Sequence, residues 1–429
     1  MSNPAVSVLT PRWVFPISSP PIADGAVATQ GGRILAVGTR ADLTAAWPGA
    51  SRFHLPEAAL LPGLVNCHTH LELSGLSSQQ LVNGTFVLWL AALIEKRRGI
   101  PVAEQAAAAE AGARRLIESG TTCVGEVSTA GLSLAALLSL GLRGVVYREI
   151  LGLTPGEAER RCDAARADLQ GMQQMARGGL LRVGLSPHSP YSLSEELFRA
   201  CGAMLRGSHL PWCIHAAESR EEVEFLSTGR GAISDLLYTA VGCRVPPPRR
   251  RAQSPIEYLD GLGALAWRPL LIHAVHVDAA DIPRMVRSGV SVAHCPRSNA
   301  RLSDGVAPVA DFLAHGIPVG LGTDSLASVP TLDLWDEMRA ALAAQRGRLA
   351  PGEVLDMATR GGARALGLAD QVGSLEVGKR ADLIAVPAGA VVASDPAGSL
   401  IAMTRGEDVL LSLVEGEVRH HRLAEVPCA

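Results

Sequence analysis

The residues best suited to chemistry sit where apolar runs end. His68 and His70 close the stretch that runs from Leu60 through Pro62, Val65 and Cys67 to Glu72. Leu60 to Val65 reads as a strand, and on a strand residues i and i+2 point to one face. Two imidazoles on one face at a strand end are half of a metal site. The same placement recurs. His188 lies in Ser-Pro-His-Ser-Pro-Tyr, His215 has Glu218 three residues on, His273 ends Leu-Leu-Ile-His, and Asp324 lies in Gly-Leu-Gly-Thr-Asp-Ser. Packing alone explains this poorly, because each buried ionisable group would need its own partner.

The elements that must position these residues form a regular series. Short apolar runs at 121–127, 144–150, 181–185, 212–215, 270–274, 290–293 and 318–321 alternate with Ala-rich or Glu/Arg-rich helical stretches at 102–119, 156–177, 194–206, 278–288 and 332–346. With the strand at 60–65 they make eight βα units, which argues a (β/α)8 barrel over residues 60–370. Such a barrel carries its active site at the C-terminal ends of its strands, where the titratable residues fall. Both ends of the chain are β-rich. Residues 24–39 read as a hairpin with a Gly-Gly turn, and 373–386 and 408–421 as short strands. Residues 1–59 and 371–429 are therefore expected to form one composite β-sandwich.

The chain has 429 residues, 48% hydrophobic and 19% charged, enough for a large core. A net charge of −3 gives no basic surplus of the kind nucleic-acid binding requires. Arg249-Arg250-Arg251, after three prolines, reads as a loop within a polar insertion over 239–255, where a lid could form. The eight cysteines are scattered without a Cys-x-x-Cys and suit buried thiols in a reducing compartment. No signal peptide or membrane span is legible, so a cytoplasmic protein with no membrane partner is expected. A homodimer is compatible with the chain, but no residue fixes the oligomeric state.

On these motifs the chain resembles the amidohydrolase superfamily, in the branch of cytosine, guanine and adenosine-derivative deaminases. The terminal Gly-Arg-Ile-Leu-Ala-Val-Gly and Gly-Lys-Arg-Ala-Asp-Leu segments belong to the same resemblance. It implies that His68, His70, His215 and Asp324 are metal ligands, that Glu218 is the acid/base, and that His273 and His188 line the substrate site. Three imidazoles and a carboxylate suit one Zn2+ or Fe2+ with a position left for water, whose pKa such an ion lowers from 15.7 towards about 7. Glu218 can then protonate a ring nitrogen and pass a proton to departing ammonia. His273 and Asp324 would orient the attacking oxygen and share the proton transfers. Two-metal relatives commonly bridge their ions with a carbamylated lysine at a strand end. The only lysines here are Lys96, in a helical stretch, and Lys379, in the sandwich segment, so a single ion is favoured.

Local motifs narrow the branch. His-Thr-His-Leu-Glu-Leu-Ser (68–74), Tyr-Arg-Glu (147–149), His-Ala-Ala-Glu-Ser-x-Glu-Glu (215–222) and His-Cys-Pro-Arg-Ser-Asn (294–299) resemble the aminodeoxyfutalosine deaminases of menaquinone biosynthesis. The implied substrate is a purine nucleoside whose ribose carries a tail ending in a carboxyphenyl group. Glu72 is then a candidate acceptor for ribose hydroxyls, or else a partner that orients a metal histidine. Arg148 and Arg297 are candidate cations for the benzoate, although Arg148 could pair with Glu149 and Arg297 could form a rim salt bridge. Phe86 and Trp89 read as core. Methylthioadenosine/S-adenosylhomocysteine deaminase, guanine deaminase, or an amide- or chloro-hydrolase of the superfamily would use the same ligand set.

Overall fold

The computed structural model describes residues 5–81, 84–154, 156–243, 250–389 and 391–423. Eight strands carry the expected series: β1 (Leu64–Thr69), β2 (Thr121–Ser128), β3 (Arg143–Ile150), β4 (Leu181–Pro187), β5 (Cys213–Ala216), β6 (Leu270–His273), β7 (Ser291–His294) and β8 (Val319–Leu321). They pair in parallel as two four-stranded sheets, β1 to β4 and β5 to β8. A parallel bridge between Leu185 and Trp212 joins β4 to β5. At the other seam the Asp324 amide donates to the His68 carbonyl at 3.0 Å. The Asn66 side chain bonds the Thr323 hydroxyl at 2.8 Å and its amide at 3.1 Å. The strands thus run around a barrel.

Strand periodicity divides the core. On β3, Val145 and Tyr147 pack inside the barrel with Val65, Cys67, Cys123, Cys213 and Cys295, whereas Val146 and Ile150 face the outer helices. The helices start where capping chemistry says they should. Ser194, Ser219 and Ser254 each accept from a backbone N–H three residues on and open the helices Glu195–Leu205, Arg220–Thr228 and Pro255–Gly261. Gly229, at φ 73°, ends the second of these in the left-handed conformation a side chain disfavours.

The terminal strands are hydrogen-bonded as one eight-stranded sheet, in the order Glu417–His421, Leu411–Val414, Leu383–Pro387, Ser51–Pro62, Ser7–Val14, Gly25–Gln30 and Arg33–Thr39, with Ile22–Ala23 beside Ser7–Val14. The expected hairpin at 24–39 is present, with Gly31 and Gly32 at positive φ in its turn. Leu60 to Pro62 pair with Leu383–Ala385, so the sheet takes the chain past the expected boundary at 59. One face encloses its own cluster around Leu9, Leu60, Leu383 and Leu411. From the other face Ala59, Leu61, Ile384 and Val386 join the main core. Among the described residues no helix is long and apolar enough to cross a membrane, and seven cysteines are free, six of them buried.

A second apolar cluster stands over the C-terminal ends of the strands. It joins Phe86, Trp89 and Leu93 of the helix Phe86–Arg98 to Tyr191, Leu237 and Tyr238. Part of the insertion at 239–255 contributes: Ala252 packs here, while exposed Arg250 gives its backbone N–H to Glu195. Arg249 and the three prolines lie outside the described residues.

Candidate metal centre and active site

Four strand ends converge. His68, His70 and His215 each offer a ring nitrogen within 4.8 Å of the others. Oδ1 of Asp324 lies 3.6 Å from Nε2 of His68 and 4.0 Å from Nε2 of His70. Its other oxygen accepts from the hydroxyls of Ser298 at 2.7 Å and Ser328 at 2.9 Å, which turns Oδ1 towards the imidazoles. Nδ1 of His215 meets the His188 carbonyl at 3.1 Å, fixing which nitrogen faces the centre. The backbone yields to this arrangement. Asp324 sits at φ 60° and His273 at φ 71°, conformations that non-glycine residues hold only when their surroundings impose them. Gly322 leaves room, since a Cβ there would come within 2.9 Å of the His68 Cβ.

The donor set fits a divalent ion. Among the described residues neither ring nitrogen of fully buried His68 has a hydrogen-bond partner, a costly state for polar atoms unless something else binds them. Burial and the neighbouring His68 push His70 down to about 3. Burial and the surrounding imidazoles likewise lower His215. Both shifts favour the neutral rings of His70 and His215 that metal ligation requires.

Beside the centre, Oε1 of Glu218 lies 3.2 Å from Nε2 of His273. Nδ1 of His273 is held by Oδ1 of Asn299 at 2.9 Å. Burial, with Asp304 and Asp324 nearby, raises the Glu218 carboxyl well above the usual range, which favours its protonated form. His188 is fixed through Nδ1 by Ser189 at 3.0 Å and Ser192 at 2.9 Å.

These groups form the floor of a cavity of about 350 Å3, within the usual range for small-molecule sites. Its walls are largely apolar, with Phe86, Trp89, Leu93, Leu151, Leu153 and Tyr238 among them. The residues expected to recognise substrate divide. His188 and His273 line the cavity, but Glu72, Arg148 and Arg297 do not. Glu72 is drawn away by the start of the helix Leu132–Leu140. Its oxygens accept from the Ser128 hydroxyl at 2.5 Å, the amides of Thr129, Ala130 and Leu132 at 3.0–3.2 Å, and Arg97 at 3.1 Å. Arg148 points outward from β3 and pairs with Asp168 at 2.8 Å. Arg297 is tied to Thr331, Asp336 and Glu337 at the rim. The cations that do line the cavity are Arg97 and Arg161. Phe86 and Trp89 are core and cavity wall together. His294 stays outside, and burial pushes its ring down to about 3.

Arg97 was legible in one respect. Phe86, Trp89, Leu90, Leu93, Ile94 and Arg97 recur at helical spacing, so one face carries an apolar stripe ending in a cation. That face is the one turned to the cavity.

Known proteins agree with this architecture. The amidohydrolase family model matches residues 59–419, and the imidazolonepropionase-like composite domain of bacteria matches residues 25–50. An aminodeoxyfutalosine deaminase of Deinococcus radiodurans is 36% identical over 353 residues, covering 80% of this chain and 81% of that protein. A 5-methylthioadenosine/S-adenosylhomocysteine deaminase of Nitratidesulfovibrio vulgaris is 31% identical, covering 92% and 87%. The crystal structure of an adenosine deaminase from Xanthomonas campestris with bound zinc superposes with a TM-score of 0.84 at 27% identity, covering 97% of this chain and 93% of that one. With its barrel, its histidine cluster and a family match across most of its length, the chain belongs to the amidohydrolase family of metal-dependent hydrolases.

Proposed function

We propose that the chain is a hydrolytic deaminase of an adenosine-type nucleoside, and that its substrate is aminodeoxyfutalosine, converted to futalosine and ammonia for menaquinone biosynthesis. The carrying observation is the composition of the cavity. A floor of acid/base groups beside a metal centre is continued by apolar and aromatic walls and by Arg97 and Arg161. A purine at the floor, an aryl tail along the walls and a carboxylate at an arginine match those surfaces in turn. The relative in Deinococcus radiodurans supports the same substrate. The methylthioadenosine/S-adenosylhomocysteine reading is favoured by the relative that covers more of the chain.

A Zn2+ or Fe2+ held by His68, His70, His215 and Asp324 supplies, when bound, a water of pKa near 7 as nucleophile. The protein's own groups do the rest. Glu218 donates its proton to the ring nitrogen beside the amidine carbon, so that carbon accepts the incoming oxygen. The carboxylate left behind takes a proton from that oxygen and delivers it to the amino group. The C–N bond then breaks and ammonia leaves. His273, fixed by Asn299, holds Glu218 in place from 3.2 Å. The buried floor keeps bulk water out of these transfers.

A deamination screen of metal-loaded enzyme tests the reading with aminodeoxyfutalosine, adenosine, methylthioadenosine, S-adenosylhomocysteine and guanine. The expected result is a kcat/KM for aminodeoxyfutalosine well above the others. A preference for methylthioadenosine or S-adenosylhomocysteine would replace the substrate and keep the chemistry. Turnover of none would remove the deaminase reading.

A further inference from the structure

Residues 148 and 149 show how a strand sorts two charges. They are neighbours on β3, so their side chains leave on opposite faces. Arg148 goes outward to Asp168, and Glu149 goes inward to the cavity. Three carboxylates line that cavity among the described residues: Glu149, Glu218 and Asp324. Glu218 faces His273, and Asp324 faces the metal histidines. Glu149 serves neither group.

Its surroundings aim it. Oε2 of Glu149 meets the Thr129 hydroxyl at 2.6 Å, and the same hydroxyl meets a guanidinium nitrogen of Arg97 at 3.0 Å. A guanidinium can only donate. The Thr129 oxygen therefore accepts from Arg97 and gives its own proton to Glu149. This directed chain occupies Oε2 of a side chain that lines the cavity, and Oε1 lies 4.0 Å from Nε2 of His188, beyond hydrogen-bond reach. The Glu149 side chain is only 6% exposed, and a carboxylate so placed gains from a further donor.

Distance suggests what donates. His188 is close to both Glu149 and the metal centre, its Nε2 4.0 Å from Glu149 and its ring centroid 4.8 Å from that of His215. His188 thus links Glu149 to the metal ligands across one imidazole. In an adenine nucleoside the ribose hydroxyls lie roughly 7–8 Å from the amidine carbon by bonded geometry. With that carbon at the metal centre and the purine edge at His188, the sugar falls at Glu149. We propose that Oε1 of Glu149 accepts the vicinal ribose hydroxyls of the substrate, and that Thr129 and Arg97 are positioning residues that hold it for them. The proposal rests on the nucleoside reading above and moves the ribose acceptor from Glu72 to Glu149.

The test measures kcat/KM of the metal-loaded enzyme on aminodeoxyfutalosine and adenosine, and on the 2′-deoxy and 3′-deoxy forms of each. Wild type should lose about 10- to 100-fold for a missing hydroxyl, as for a hydrogen bond to a charged group. Glu149→Gln should lose a similar factor on the intact nucleosides and little more on the deoxy forms, so that the two losses do not add. Thr129→Val should do the same in smaller measure. Penalties that add in full in Glu149→Gln would overturn the assignment. So would a wild type indifferent to both hydroxyls, a result that needs no variant to fold. Wild type inactive on all six compounds would instead remove the nucleoside reading, and this inference with it.

Discussion

Glu218 and His273 come from the ends of adjacent barrel strands and face each other across 3.2 Å beside the metal histidines. The Glu218 amide also gives its hydrogen to the Glu222 carboxylate at 2.9 Å, which anchors the loop that carries it. Such rigidity suits a group that must hand a proton to a bound ring. Glu218→Gln should keep its metal content and fold while kcat falls by about 10^2 to 10^4, the usual contribution of a positioned acid/base. Metal analysis and steady-state kinetics on the same preparation check this. A turnover close to wild type would remove Glu218 from the proton path.

Removal of the metal should be felt in both activity and stability. His68, His70, His215 and Asp324 converge, and among the described residues neither ring nitrogen of His68 has a hydrogen-bond partner. An ion that binds the folded state alone stabilises it in proportion to the logarithm of its concentration. Chelation should abolish turnover and lower Tm, and titration with Zn2+ or Fe2+ should restore both. Asp324→Asn should weaken that recovery more than it disturbs the apo fold. Equal Tm values with and without metal would contradict a metal centre at these residues.

Most of the fold could be read from the chain because its signals are local. The eight barrel strands appear within a few residues of the apolar runs, and the proposed metal ligands lie at or just past strand ends as the barrel rule requires. The residues proposed to contact the substrate tail were not legible in the same way. Arg148 and Arg297 share motifs with site residues, yet one lies on the outward face of β3 and the other is held by Glu337 at the rim. Glu72 follows the metal strand closely, but its carboxylate answers to the amides of a helix more than fifty residues away. Sequence proximity to a site does not say which way a side chain turns; here the partners, distant in the chain, decide it.

That correction yields a contrast among the arginines. Arg161→Met should raise KM for aminodeoxyfutalosine, by about tenfold for the loss of one charge-assisted contact, with a smaller effect on adenosine, which has no carboxylate; Arg97→Met should raise KM for both, because Arg97 also holds Glu149 through Thr129. Arg148→Met and Arg297→Met should leave the ratio of the two substrates unchanged. A KM shift at Arg148 or Arg297 with none at Arg97 or Arg161 would reverse the assignment.

Glu72 should prove structural. Its carboxylate is 2% exposed, caps the start of the helix Leu132–Leu140 and pairs with Arg97. Glu72→Ala leaves several amides without an acceptor and strands a guanidinium, and breaking a buried pair of this kind costs about 3 kcal/mol. The expected outcome is a clear fall in the urea midpoint of the metal-loaded enzyme, with KM less affected than stability. An unchanged midpoint with a raised KM would return Glu72 to the substrate.

The buried titratable groups set the pH range over which the metal-free chain is stable. Burial, first among the causes, lowers His70 and His294 to about 3 and His273 to about 4, from 6.5. Below pH 6.5 the unfolded chain takes up protons that these folded rings refuse, so stability falls as the pH drops towards 3. Burial also raises Glu222, Glu337 and Asp304 to about 8, from 4.5 for the glutamates and 3.8 for the aspartate. These folded carboxyls keep protons that the unfolded chain releases. Their contribution is complete below the unfolded values and is lost as the pH rises to about 8. The two sets oppose each other between 4.5 and 6.5. Below that window the histidines act without opposition from the glutamates, and above it the carboxyls act alone. The urea midpoint of chelated protein should therefore peak inside the window and decline on both sides. His294→Leu, which leaves the metal ligands untouched, should make the acid decline shallower. A midpoint still rising at pH 8 would contradict the carboxyl assignments, and an acid decline no shallower in His294→Leu would contradict that of His294.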